Sequence, residues 1–326
     1  MAEFILGSPL KPLARRFPRL RRALWRLDEG FVRALLALFR RLPVDAASRL
    51  GARVGGLIGP RLRSKNQLLR ENLAIAFPDC SRQELDALVL GCWRQGGRIL
   101  AEYPHLERFA SAGDRIEIDT SLCDPATRQP CVVVSAHLSN WELNASALCA
   151  MNIANASLYS PPSNPYLDRL LLDSRAALNN QLLPRDRSAR LLLRALKGGR
   201  SVGVVVDRRV DDGESVEFFG HAKATSLLPA RLALKQGCAL IPSRVQRLRD
   251  ARFRVTFYPP IEPPDPTADE HQRAIDMMQQ LHRQFESWIR EQPAEWLCSK
   301  RLWPRGTNPA AAAVQSPGTR RYNTRT

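Results

Sequence analysis

The chain of 326 residues is 44% apolar and 25% charged, a composition that excludes a disordered or fibrous chain and allows a full hydrophobic core. Its formal net charge of +17 predicts a polyanionic partner, such as nucleic acid, an anionic membrane or a phosphorylated substrate. No two of its seven cysteines have the two-residue spacing of metal or redox motifs, so we expect reduced thiols and a cytoplasmic setting.

The positive charge is concentrated in the first 70 residues, which contain sixteen Lys or Arg and four acids. Within this segment, apolar residues recur at helical spacing and arginines fall on the other side, which predicts a basic amphipathic helix. The apolar residues are Leu24, Leu27, Phe31, Leu35, Leu38 and Leu42, and the arginines are Arg15, Arg19, Arg22, Arg26, Arg33 and Arg40. A helix at a membrane surface needs both faces, but a helix docked on the protein's own core explains the apolar stripe equally well.

The N-terminal segment contains no uncharged apolar run of the roughly 18 to 20 residues that a transmembrane helix needs. It also lacks the apolar region of a secretory signal peptide, so we do not expect export. These features favour peripheral or monotopic attachment to the cytoplasmic face of a membrane.

Four glycines in residues 51–59 are expected to break this helical pattern. Two helical segments follow around Pro78, and Ser81 with Glu84 predicts a capping box at the start of the second. Beyond a polar connection, residues 131–136 predict a buried strand, and residues 164–183 and 188–197 predict helices.

Three further strands are predicted at residues 201–206, 237–245 and 252–258, and a long helix is predicted at residues 268–291. This alternation of helices and strands is typical of an α/β fold. We divide the chain into a basic membrane-surface region at 1–45, a main domain at 46–304 and a disordered basic tail at 305–326.

The sequence VVVSAHLSNWELNA ends the first predicted strand with His137 and continues, after four residues, to Glu142. In open α/β sheets, ligands bind beyond the carboxyl ends of the strands, and a nearby carboxylate can orient an imidazole for acid–base chemistry. The same residues permit a capping box of Ser139 and Glu142, which requires no chemistry. The residues alone leave both interpretations open.

Four blocks of sequence, taken in order, resemble the bacterial lipid A secondary acyltransferases, a family that also includes acyltransferases of phosphatidylinositol mannosides. The blocks are ENLAIAFPDCS, SAHLSNWEL, NPYLDRLLLDSRAALNNQLLPRD and VGVVVDRRVDDGESVEFFGHAKATSLLPARLALKQGCALIP, and the resemblance covers residues 42–303. It implies a mixed sheet flanked by helices, as in glycerolipid acyltransferases, at the cytoplasmic face of the inner membrane. The chain departs from the family pattern at Ser160, where arginine is frequent, and at Lys300, near a frequent histidine.

The resemblance implies that His137 is a general base and that Glu142 orients its ring. A hydroxyl of a lipid A precursor or similar phosphorylated glycolipid would attack the thioester of an acyl carrier protein or coenzyme A donor, with no covalent enzyme intermediate. No cofactor, metal or nucleic acid is expected, an anionic membrane surface is an expected partner, and the protein is expected to be a monomer.

The resemblance also implies substrate-binding roles around this base. Arg175 matches an arginine of the family, and Asp207 and Arg208 lie on the second turn of the implied site. The oxyanion of the tetrahedral intermediate needs donors, and Asn140, Arg175 or backbone N–H groups after His137 are alternative candidates.

Two alternative functions remain. The acceptor could be another lipid, such as a lysophospholipid or an aminolipid. The chain could instead be a non-catalytic basic peripheral protein that binds anionic lipid or nucleic acid. Such a binder needs the N-terminal charge but not His137, Glu142, Arg175 and Asp207 together, so these four residues favour the enzyme.

Overall fold

The computed structural model describes residues 5–6, 10–110, 115–185 and 188–307; most of the predicted tail, residues 308–326, lies outside these ranges. The helices are α1 Lys11–Arg16, α2 Pro18–Arg40, α3 Val44–Ile58, α4 Arg63–Ala76, α5 Arg82–Glu102, α6 Leu106–Ala110, α7 Leu143–Ala150, α8 Pro165–Arg175, α9 Ser188–Lys197, α10 Leu228–Gln236 and α11 Glu270–Glu291. The strands are β1 Ile116–Asp119, β2 Val132–Ser135, β3 Asn155–Tyr159, β4 Gln181–Pro184, β5 Ser201–Val205, β6 Glu214–Phe218, β7 His221–Thr225, β8 Leu240–Arg249 and β9 Arg252–Phe257.

Within these ranges the chain forms a seven-stranded mixed sheet in the order β1-β9-β8-β2-β5-β3-β4. The five strands from β8 to β4 run parallel to one another. Strand β9 is antiparallel to β8 and pairs in parallel with β1. Strands β6 and β7 form a separate antiparallel hairpin. The predicted α/β fold with a mixed sheet flanked by helices is therefore confirmed.

Strand β2 lies in the middle of the sheet, and its side chains alternate between two cores. Val132 and Val134 face a core that contains residues of α4, α5, α9, α10 and α11. Val133 faces a second core that contains residues of α6, α7, β8 and β9. Because both faces of β2 are covered, its four residues are all buried, which explains the uninterrupted apolar sequence before His137.

The glycines that were expected to break the N-terminal helical pattern instead lie inside α3 and at its end. A Cβ atom on Gly51 would lie 2.4 Å from the carbonyl oxygen of Gly97 in α5, and one on Gly55 would lie 2.3 Å from that of Trp93. The glycines therefore allow two helix backbones to approach more closely than side chains permit. The tertiary contact between α3 and α5 outweighs the low helix propensity of glycine.

The predicted helix at 164–183 is correct only in its first part. Helix α8 ends at Arg175, and Asn179 adopts a left-handed conformation with φ of 46° after a short 3-10 turn. The chain then enters β4, which pairs with β3 at the edge of the sheet. A change of direction at Asn179 thus replaces the last turns of the predicted helix, because asparagine tolerates this conformation better than most residues do.

The N-terminal basic segment divides into two helices at Phe17, directly before Pro18. On α2 the predicted apolar stripe also divides, because Leu24 is buried against Ala14 of α1 and Leu35 packs against a buried cluster that contains Phe39. Leu36, which the predicted stripe did not include, is buried against α8. Other apolar side chains of these helices remain exposed, namely Leu13, Phe17, Leu27, Phe31 and Leu38. Docking on the core therefore accounts for only part of the stripe. No helix in the described ranges has the length and apolar character needed to cross a bilayer.

The contact between α3 and α5 predicts a specific sensitivity to side-chain size. A Cβ atom on Gly97 would lie 2.1 Å from the carbonyl oxygen of Gly51, so Gly97→Ala must push the helices apart. We expect it to lower the free energy of unfolding by about 1 to 3 kcal/mol, measured by denaturant titration. The control is Gly30→Ala in α2, where nothing lies within 4 Å of the added atom and the better helix propensity should be neutral or stabilising. Equal stability of the two variants would contradict this account.

Candidate active site

The pairing of β2 with β5 brings His137 and Asp207 together. Ser135 pairs with Val205 in the parallel register, and His137 and Asp207 each follow two positions later. The backbone N–H of Val206 donates to the carbonyl oxygen of Ser135, which continues the pairing beyond the strands. His137 Nδ1 consequently lies 2.5 Å from Asp207 Oδ1, at the carboxyl edge of the parallel strands.

The C-terminal segment holds both residues of this pair. Leu297 N–H donates to the carbonyl oxygen of His137, and Ser139 N–H donates to that of Glu295. Between them, Trp296 Nε1 donates to Asp207 Oδ2 over 2.9 Å, so both carboxylate oxygens are hydrogen-bonded. Sequence reasoning missed this contribution from Trp296, which lies 89 residues from its partner.

The buried carboxylate favours one tautomer of the histidine. Burial acts to raise the pKa of Asp207, but the charge of His137 and hydrogen bonds from His137 and Trp296 outweigh it and hold this pKa below its usual range. An ionised Asp207 accepts a hydrogen bond from Nδ1–H, so the lone pair of the neutral imidazole lies on Nε2. The ring of Trp141 packs edge-on against His137 at 4.7 Å between centroids and restricts its orientation.

A buried lysine lies behind this pair. Lys223 on β7 has no solvent exposure, and its Nζ donates to the backbone carbonyl of Asp207 over 3.0 Å. Its ammonium also lies 4.9 Å from the centre of the Phe218 ring. Burial lowers the pKa of Lys223 to about 8, although the Asp207 charge acts to raise it. Sequence reasoning did not identify this residue.

Glu142 was expected to orient His137, but the structure gives its carboxylate different partners. Glu142 accepts hydrogen bonds from Tyr103 Oη over 2.7 Å and from Arg175 Nε over 2.9 Å, and Arg175 Nη2 forms a further close contact. Burial, and to a smaller extent the charge of Glu142, raises the pKa of Tyr103 well above its usual value. The phenol therefore keeps its proton and donates it in this hydrogen bond. The carboxylate hydrogen-bonded to the His137 ring is that of Asp207.

The capping-box interpretation of Ser139 and Glu142 is also wrong. Ser139 has a φ of 50°, and α7 begins only at Leu143, with Glu142 as the N-cap residue and no side-chain cap. The chain makes a tight turn between strand and helix because the backbone of residues 137–139 is bound to that of residues 295–297. This turn places the Glu142 side chain toward Arg175 of α8. By contrast, the predicted capping box of Ser81 and Glu84 is confirmed at the start of α5.

Asn140, a predicted donor to the oxyanion, is fully buried and has another partner. Its Nδ2 donates to Glu102 Oε2 over 2.9 Å. The same carboxylate accepts from Ser48 and from Arg247, so Glu102 joins β8, α3 and the turn after His137. The structure brings together His137 with Asp207, and Glu142 with Arg175, while Asn140 contacts this separate buried cluster.

A groove of about 310 Å³ lies beside the Glu142 side of the site, between α2 and α8. Tyr103, which binds Glu142, forms part of its wall. The lining of the groove is mixed: apolar side chains come from Leu36, Ala37, Leu106, Leu170 and Ala177, and charged ones from Arg33, Arg40, Glu107 and Asp173. Arg208 directly follows Asp207 and is half-buried.

The model of the family described as bacterial lipid A biosynthesis acyltransferase matches residues 17–305, so the chain belongs to that family. It is 26% identical over 236 residues to a lipid A biosynthesis lauroyltransferase of Escherichia coli K12, and these residues cover 69% of this chain and 76% of the relative. It is 25% identical over 274 residues to a palmitoleoyltransferase of lipid A biosynthesis from the same strain, with 81% and 86% covered. A phosphatidylinositol mannoside acyltransferase of Mycolicibacterium smegmatis is 25% identical over 294 residues, with 86% and 88% covered. The chain is therefore an acyltransferase, as its resemblance to the family implied.

The buried Lys223 predicts a specific dependence of stability on pH. Its pKa is about 8 in the folded protein against an ordinary value of 10.5, so between these pH values the unfolded chain binds a proton that the folded protein has lost. The free energy of unfolding should therefore rise with pH across this window, by about 3 kcal/mol relative to Lys223→Met. Denaturant titrations from pH 7 to 10.5 measure this difference. The exposed Lys235→Met should follow the wild type, and parallel curves for all three proteins would contradict the prediction.

Proposed function

We propose that this acyltransferase moves a fatty acyl chain from an acyl carrier protein or coenzyme A thioester to a hydroxyl of a lipid A precursor or a similar phosphorylated glycolipid. The observation that carries the proposal is the buried hydrogen bond between His137 Nδ1 and Asp207, which leaves Nε2 as a base at the carboxyl edge of the sheet. In a chain of this family, such a base suits transfer to a hydroxyl, which is a poor nucleophile at neutral pH.

His137 Nε2 would remove the proton of the acceptor hydroxyl as its oxygen attacks the thioester carbonyl carbon. The tetrahedral intermediate would then collapse, the C–S bond would break, and the leaving thiolate would take the proton from Nε2. Asp207 would hold the ring and stabilise the imidazolium without becoming protonated, as the aspartate of a serine-hydrolase triad does. General-base catalysis of this type contributes roughly 10²- to 10⁴-fold in rate.

Glu142 would act through Arg175 and not through the histidine. The paired side chains are largely buried, with 15% of Arg175 and 11% of Glu142 exposed, and the contact uses Nε and Nη2 of the guanidinium. Nη1 lies outside this pair and would donate to the substrate carbonyl or its oxyanion. In this proposal Glu142 fixes the orientation of the arginine, because a side-on pair holds the planar guanidinium in one geometry.

The groove between α2 and α8 would receive an acyl chain along the apolar part of its lining, which includes Leu36 and Leu170 and adjoins Tyr103. Its volume of about 310 Å³ falls at the lower end of the range of small-molecule sites. The relatives' names include both lipid A and phosphatidylinositol mannoside, so a glycolipid hydroxyl is the favoured acceptor. A lysophospholipid or an aminolipid remains the alternative.

The exposed apolar side chains of α1 and α2 would attach the protein to the cytoplasmic face of the inner membrane. Leu27, Phe31 and Leu38 lie on one side of α2 and are each about half exposed. Arg22, Arg26, Arg33 and Arg40 are exposed on another side of the helix and would interact with anionic headgroups. A helix with separate apolar and cationic faces is the arrangement that binds in the headgroup region.

The roles of the two carboxylates can be separated by kinetics. We expect His137→Ala to lower kcat by roughly 10²- to 10⁴-fold, which is the contribution of the base, and Asp207→Asn to lower it by up to the same factor because the ring loses its ionised partner. Glu142→Gln should lower kcat by a smaller factor, since it weakens the hold on Arg175, the proposed oxyanion donor, but leaves the base and its partner intact. Steady-state assays that follow acylated acceptor by mass spectrometry measure these changes.

The matched control is Asp211→Asn, whose side chain is 91% exposed and which should keep wild-type kinetics. Circular dichroism must show a folded protein for each variant. If Glu142→Gln lowers kcat as strongly as His137→Ala while Asp207→Asn retains full turnover, Glu142 is the partner of the base and the proposal is wrong.

Membrane attachment through α2 predicts that two charges on its exposed side release the protein. Leu27→Asp with Leu38→Asp should weaken binding to vesicles that contain anionic lipid by roughly tenfold or more per residue, because two leucines lose their apolar contact. Vesicle flotation measures the bound fraction. Leu122→Asp with Leu248→Asp is the control, since these side chains are 54% and 49% exposed, against 55% and 51% for the test pair. Equal flotation of both double variants would assign the contact to another surface.

A further inference from the structure

We call four basic residues the cationic cluster, because their charges act on one another and one of them adjoins Asp207: Arg208 after Asp207, Arg185 after β4, Lys300 in the C-terminal segment and Lys65 on α4. Arg208 follows Asp207 directly after β5, and Arg185 follows β4. Strands β5, β3 and β4 are neighbours and run parallel, so both arginines leave the sheet at its carboxyl edge. Arg185 N–H also donates to the carbonyl oxygen of Tyr159 at the end of β3, which fixes its backbone at this edge.

The two lysines are positioned by α4. Asn72 is buried on this helix, and its Nδ2 donates to the carbonyl oxygens of Cys298 and Lys300, each over 2.6 Å. This contact fixes the backbone of Lys300 against α4. Lys65 lies seven residues before Asn72, two helical turns along the same face. Both lysines therefore belong to the same region of the surface.

The members of the cationic cluster act on one another electrostatically. Burial lowers the pKa of Arg208, and the charge of Arg185 lowers it further, although Asp207 opposes both effects. Burial also lowers the pKa of Lys300, with additional effects from Lys65 and Arg208. In the described part of the chain, none of the four side chains forms an ion pair with a carboxylate. Among the described residues, the cluster thus holds positive charges without ion-pair partners, although the charge of Asp207 acts on Arg208.

Like charges held together at a site edge are unfavourable unless an anion joins them. Arginine and lysine side chains are the residues that bind phosphate, the first as a planar fork and the second as a point charge. We propose that the cationic cluster binds a phosphate group of one substrate beside the His137–Asp207 pair. The identity of the substrates rests on the proposed function. A sugar phosphate of the acceptor and the phosphopantetheine arm of the donor offer the same anion.

The double variant Arg185→Gln with Lys300→Gln tests the cluster without altering the catalytic pair. We expect KM for the phosphate-bearing substrate to rise roughly 10- to 100-fold, with kcat nearly unchanged, because charge-assisted hydrogen bonds to the anion are lost. The control is Lys197→Gln with Arg200→Gln, which removes the same charge from exposed positions at the amino edge of β5. Its KM should remain that of the wild type.

Two pairs of substrates identify the source of the phosphate. Acceptor glycolipid is compared with and without its phosphate, and acyl-phosphopantetheine is compared with acyl-pantetheine. In one of the two pairs, the double variant should show its raised KM with the substrate that carries the phosphate and a wild-type KM with the substrate that lacks it. An equal defect with and without phosphate, or no defect at all, would overturn the proposal.

Direct anion binding distinguishes failure of the cluster from failure of the proposed function. Inorganic pyrophosphate, compared with sodium chloride at equal ionic strength, should raise the Tm of the wild type and of the control variant but not of the Arg185/Lys300 double variant. If this pattern holds but no substrate is acylated, the proposed function is wrong and the anion site stands. If pyrophosphate raises no Tm, or raises all three equally, the cluster is not an anion site.

Discussion

The hydrogen bond between His137 and Asp207 depends on one register of one strand pair. Because Ser135 pairs with Val205, the two side chains emerge at equal distances beyond β2 and β5 and on the same face of the sheet. A slip of one residue would place them on opposite faces. Strand β2 is buried on both faces and paired on both edges, so the packing that stabilises the core also sets the geometry of the pair.

The pair is complete only when a third, distant segment is in place. Trp296 donates to Asp207, and the residues on either side of it bind the backbone of the turn that contains His137. The carboxylate is buried, and burial of an ionised group without hydrogen-bond donors is costly. The C-terminal segment therefore satisfies an acid that the sheet has already removed from water. Assembly of the sheet and docking of this segment should be cooperative, since either event without the other leaves buried polar groups without hydrogen bonds.

Much of the fold could be predicted because its central elements carry strong local patterns. The uninterrupted apolar runs of β2 and β5 and the long amphipathic α11 lie where the sequence placed them. Strands β1, β3 and β4 and the hairpin of β6 and β7 were not predicted, because four or five residues with mixed polarity, as in IEID, NASLY and ESVEF, carry little periodic signal. The glycines of α3 were wrongly expected to interrupt a helix for a related reason. They allow the close contact with α5, which the sequence around them does not reveal.

The hydrogen bonds of the candidate site could be predicted only in part from residues that are neighbours in sequence. His137 and Glu142 are close in sequence, yet their hydrogen bonds run in different directions, to Asp207 and to Arg175. The sequence did contain a signal for the partner of His137. Asp207 follows the last residue of β5 by two positions, just as His137 follows the last residue of β2. Recognising it requires the assumption that these two strands are neighbours in parallel register, which is a property of the sheet. Tyr103 and Trp296 could not be found in this way, since they reach the site from a helix end and from the C-terminal segment.

Helix α2 and the site are connected through α8. Leu36 of α2 packs against α8, and the side chain of Asn164, the N-cap of α8, donates to the carbonyl oxygen of Trp25. The last residue of α8 is Arg175, which binds Glu142. A helix of 11 residues is about 16 Å long, so one rigid element joins the basic N-terminal region to the substrate-binding side of the proposed site. If α2 lies at the membrane as proposed, the plane of the bilayer and the position of the arginine are set by the same packed helices.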